Sequence, residues 1–115
     1  MIKFLDVLVV DDDVEDACSV ARLLRQRHLV RIAVGLREAV HEVAKKVPDV
    51  IICAYEMPPY RGDALLAMVA REHPDVRRIL FSRIPVGAFV SDEAVHAIVA
   101  KPVDPAMLLA AIGGK

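Results

Sequence analysis

The chain of 115 residues has no tryptophan, only three phenylalanines and two tyrosines, and five glycines. So few aromatics offer no stacking platform for nucleic-acid bases, and the glycines form none of the fingerprints of a phosphate-cradling loop. Cysteine is equally scarce: Cys18 and Cys53 stand apart in apolar surroundings, without metal or redox spacing, and read as small core residues with free thiols. Long apolar runs are missing too. Val7 to Val10 and Val50 to Ala54 are far too short to span a bilayer, and Asp6 and Asp11 bound the first. Lys3, Asp6 and Asp11 to Asp13 interrupt any leader-like stretch, so a cytoplasmic location away from membranes is the expectation.

Neither sign of charge predominates, since 15 Lys and Arg against 16 Asp and Glu leave a net charge of -1. The local basic run of Arg25, Arg27, His28 and Arg31 therefore reads as solvated surface, or else as a contact for an anionic partner, and no nucleic-acid partner is expected. His28, His41, His73 and His96 fit surface or helix-end positions and form no convincing catalytic pairing, which speaks against an enzyme.

What the chain holds instead is apolar residues, 56% of the whole against 27% charged, enough for a single core over residues 1–115. Phe4 to Val10 reads as a buried strand ending in three carboxylates, and Asp13 is placed to cap a helix from Val14 to about Arg27. A strand over Val30 to Val34, a helix over Leu36 to Val47 and a strand over Val50 to Ala54 follow. Pro58 and Pro59 stiffen a loop from Tyr55 to Gly62, before a helix from Asp63 to His73 and a strand from Val76 to Ser82. Residues 83–90 look irregular around Pro85 and Gly87; Asp92 to Ala97 suits a short helix and Ile98 to Ala100 a short strand. Asp104 and Pro105 are a cap and first-turn pair for a last helix ending near Gly113. Strands alternating with helices through short connections imply a doubly wound, mostly parallel α/β sheet. Ligands in such folds sit beyond the carboxyl ends of the strands, where Asp11, Asp12, Ala54, Tyr55, Ser82 and Lys101 would converge.

Adjacent carboxylates at Asp11 to Asp13 offer hard oxygen donors to Mg2+, or simply a polar strand end with a helix cap. Lys101 before Pro102 reaches either an acidic centre or solvent, and Ser82 serves either a phosphate-like oxygen or the local backbone. The order of these features is more specific than any one of them. Asp11-Asp12-Asp13 follows the first strand, Glu56-Met57-Pro58 and Gly62 the third, Ser82 the fourth and Lys101-Pro102 the fifth. In this the whole chain resembles the receiver domain of two-component response regulators.

The resemblance implies a CheY-like, flavodoxin-like three-layer fold of five parallel strands in order 2-1-3-4-5 with five helices. It implies Mg2+ contact by Asp11 and Asp12, phosphoryl contact by Ser82 and Lys101, and a phosphoacceptor aspartate at position 54. Ala54 stands there, and a methyl group cannot accept phosphoryl or coordinate a cation. Glu56 lies two residues past it, in the loop beyond the strand, and Asp49 is roughly 16 Å away along an extended chain, so neither replaces it. Ile98 replaces the aromatic switch residue the family carries three positions before its lysine.

The expected function is thus a phosphorylation-independent signalling or protein-interaction module, not an enzyme, that requires no cofactor and holds Mg2+ weakly at most. By the resemblance, a protein partner or output module engages Asp92 to Ala97, Ile98 to Ala100 and Pro105 to Ile112, with a homodimer as a further arrangement. Two alternatives stand beside it: an ordinary phospho-accepting receiver in which aspartate was exchanged for Ala54, and a metal-dependent phosphate-processing enzyme built on Asp11 and Asp12. The end at Gly113-Gly114-Lys115 suits either a stand-alone module or an excised N-terminal domain.

Overall fold

A computed structural model describes residues 4–113. Five strands, β1 (Asp6–Val10), β2 (Leu29–Ala33), β3 (Val50–Ala54), β6 (Arg77–Ser82) and β7 (Ala97–Ala100), form one parallel sheet in the order β2-β1-β3-β6-β7. The remaining two, β4 (Glu56–Met57) and β5 (Tyr60–Arg61), pair antiparallel and give the Tyr55 to Gly62 loop a small ribbon. Four helices connect and cover the sheet: α1 (Val14–Leu24), α2 (Leu36–Lys45), α3 (Gly62–Glu72) and α4 (Pro105–Ile112). The expected doubly wound fold and strand order are therefore present.

The central strands are continuously apolar because both of their faces are covered: Val7 to Val10 and Val50 to Ala54 are all buried. Both anticipated caps form. Asp13 accepts from the Asp16 N–H, and Asp104 accepts from those of Ala106 and Met107, satisfying donors that the first helical turn cannot pair. Gly62 starts α3 where no larger residue fits, since a Cβ there would lie 1.9 Å from the Ala54 carbonyl oxygen.

Three expectations need correction. Residues 92–97 form no helix, only a turn at 92–94, so the described residues hold four helices instead of five. The cause is a competing set of bonds. Ser91 Oγ accepts from the Glu93 N–H, and the buried Arg78 guanidinium takes the Glu93 and Ala94 carbonyls at 3.2 and 2.9 Å, oxygens that a helix would have used itself. Arg31, assigned to a solvated run, instead binds Asp6 and Glu42 and the carbonyls of Glu42 and Lys46. His28, assigned to the surface, is buried and accepts the Leu5 N–H on Nδ1.

Candidate functional site

The carboxyl ends of β1, β3, β6 and β7 bring Asp11, Ala54, Ser82 and Lys101 to one edge of the sheet. Backbone bonds hold them in register: Asp11 N–H donates to the Ala33 carbonyl, Tyr55 N–H to that of Phe81, and Lys101 N–H to that of Ser82. Asp11 is 1% exposed, so its carboxylate needs partners. Its Oδ1 accepts the Asp13 N–H at 3.0 Å and its Oδ2 accepts from Lys101 Nζ at 2.9 Å.

Lys101 is the centre of the cluster. Its ammonium bridges Asp11 and Asp16, each at 2.9 Å, and lies 4.5 Å from the centroid of the Phe81 ring, with the side chain 7% exposed. Burial alone would lower its pKa, but the two carboxylates outweigh that and hold it above the ordinary lysine value. Burial pushes the Asp11 carboxyl up, against the pull of the Asp13 N–H and Lys101. Asp16, more open to water, is held below its ordinary value by the hydrogen bond from Lys101, and Arg83 adds to this from 2.9 Å. The result is a linear chain of alternating charge, Asp11–Lys101–Asp16–Arg83.

Other predicted site residues contribute differently. Asp12 is exposed, and Glu56 is exposed on the small ribbon. Ser82 is buried and its Oγ accepts the Ile84 N–H, the local backbone role, which leaves its own proton free to donate. Ala54 is fully buried at the end of β3. Cys53 beside it is a buried free thiol whose pKa burial pushes far up, and Cys18 is also free. Ile98 is 41% exposed on β7.

Asp16 and Arg83 were not singled out from the sequence. The available signal was spacing: Asp16 follows the Asp13 cap by one helical turn and so returns to the same end of α1.

A family model described as the response regulator receiver domain matches residues 7–113. The chain belongs to that family. Solved structures agree on the fold. One is a response regulator from Chloroflexus aurantiacus J-10-fl, 26% identical at a TM-score of 0.83 over 96% of this chain and 99% of that one. The CheY-like receiver domain protein from Methanospirillum hungatei JF-1 is 23% identical with a TM-score of 0.87, over 96% and 92%. The signal receiver domain of an HD domain-containing protein from Pseudomonas fluorescens Pf-5 is 23% identical with a TM-score of 0.87, over 96% and 93%. No curated protein matches the sequence. Among the described residues of this receiver domain, no helix is long and apolar enough to cross a membrane.

Proposed function

We propose that this receiver domain is a phosphorylation-independent signalling or protein-interaction module. The observation that carries the reading is Ala54 at the carboxyl end of β3, the place where the family resemblance puts the acceptor, with Asp11 and Lys101 paired to each other at the same sheet edge. An acyl phosphate requires a carboxylate oxygen as nucleophile, and Ala54 supplies none. Glu56 is exposed on the ribbon and is not a substitute.

The donor set does not fit Mg2+ either. Both oxygens of Asp11 already accept hydrogen bonds, Asp12 is exposed, and position 54 has no oxygen. Lys101 supplies a positive charge where a divalent cation would otherwise neutralise the aspartates, so Mg2+ binding is weak and no cofactor is required. Nothing here depends on turnover, and the module acts by the surface it presents.

That surface is the side built by residues 92–97, β7 and α4, where Ile98 and Met107 are exposed. A protein partner or an output module engages it without a phosphoryl signal. The test is incubation with acetyl phosphate and Mg2+, followed by intact-mass measurement. The expected result is an unmodified chain; an acid-labile phosphoryl adduct at the strand-end pocket would overturn the reading.

A further inference from the structure

The sheet is open at both sides, and the strand at each margin is preceded by a histidine. His28 precedes β2 and His96 precedes β7. Register places Asp6 against Leu29 and Ile79 against Ala97, so His28 stands opposite Leu5 and His96 opposite Arg78, each one residue below the ladder. The two imidazoles make the same contact. Leu5 N–H donates to His28 Nδ1 at 3.1 Å, and Arg78 N–H donates to His96 Nδ1 at 2.9 Å. Backbone bonds flank both contacts, from Leu29 N–H to the Leu5 carbonyl at 2.9 Å and from His96 N–H to the Arg78 carbonyl at 2.8 Å. Each ring therefore supplies the acceptor that the neighbouring strand's next amide needs where pairing begins.

We infer that His28 and His96 are paired proton-sensitive caps that fix the two margins of the sheet, and that protonating them releases the starts of β2 and β7. A neutral imidazole has one acceptor nitrogen and an imidazolium has none. The contact with Leu5 or Arg78 therefore exists only while the ring is neutral. His96 is constrained further, because Arg78 Nη2 lies 3.3 Å from its Nε2. Both ring nitrogens face donors, so the neutral ring satisfies one of them and the cation neither.

The charges bearing on the rings oppose a second positive charge: Arg27 on His28, and Arg78 and Arg77 on His96. The Phe4 ring stands 6.4 Å from that of His28, tilted by 58°, and brings no countercharge. His28 is buried and His96 is exposed; partial removal of each ring from water is the largest influence and lowers its pKa below the ordinary 6.5, with the arginines adding to it. A base held neutral in the folded chain binds more protons when unfolded. Its contribution to stability is complete above the unfolded pKa and is lost as pH falls through the folded one.

The test is NMR of the intact chain, following both imidazole titrations together with hydrogen-exchange protection of the Leu5 and Arg78 amides between about pH 7.5 and 5. Both rings should titrate below 6.5. Protection at the two amides should drop about tenfold or more relative to the Ile52 amide in the central strand, a local opening of the margins. His28→Asn and His96→Asn supply a carbonyl acceptor that does not titrate, and each should abolish the pH dependence at its own amide only. Rings titrating at or above 6.5, or an unchanged pH dependence in the Asn variants, would overturn the inference. The ring titrations of the native chain decide it even if a variant does not fold.

Discussion

With Asp16 replaced by asparagine, Lys101 keeps one carboxylate partner instead of two, and Arg83 loses its bond across to α1. We expect Asp16→Asn to cost about 1–2 kcal/mol, since Asp16 is partly open to water while the ammonium it receives is not. Urea unfolding measures this, and NMR of Lys101 should show its pKa falling. Because the Asp16 carboxyl is depressed in the fold, its contribution is present above the ordinary 3.8 and is lost as pH falls through the folded value. Lys101 has the opposite sense: its raised pKa gives a contribution complete below 10.5 and lost as pH rises through the folded value. Aspartates and a lysine at strand ends were legible from the sequence. The choice of Asp16 as the second partner was not, because it depends on a contact between residues 85 apart in the chain.

At the scale of elements, Arg78 shows how one buried cation can replace a helix. Its guanidinium donates to the carbonyls of Pro74, Val76, Glu93 and Ala94, and it fastens residues 91–96 to β6. Arg78→Met keeps the apolar stem but leaves those carbonyls without their donor, and should cost about 3 kcal/mol in urea unfolding. Hydrogen exchange at residues 91–96 should accelerate well before that of β1 and β3, and uniform exchange would contradict the assignment. Strands β1 and β3 were readable because unbroken apolar runs between turn signals have few other outcomes. The helix expected over Asp92 to Ala97 rested on a short segment whose carbonyls answer to Arg78, 15 and 16 positions earlier, and no local pattern contains that information. Arginines at 77 and 78 within an otherwise apolar strand were the visible hint. The ribbon of β4 and β5 escaped for a related reason: two-residue strands carry no periodicity.

Across the whole molecule, the receiver fold positions a set of strand ends, and the chemistry depends on what those ends carry. Here the acidic edge is closed by its own lysine. Introducing a carboxylate by Ala54→Asp would add a negative group at the strand-end edge that Asp11 occupies. A like-charged pair about 5 Å apart repels by roughly 3 kcal/mol at an effective dielectric near 20, and desolvation adds to this. The variant should be less stable without metal, and Mg2+ should recover that loss through preferential binding to the folded state. The direct measurement is thermal unfolding of the native chain and of Ala54→Asp, each with and without Mg2+. The Tm of the native chain should be nearly indifferent to Mg2+, and that of the variant should rise clearly with it. An equal rise in both would contradict this.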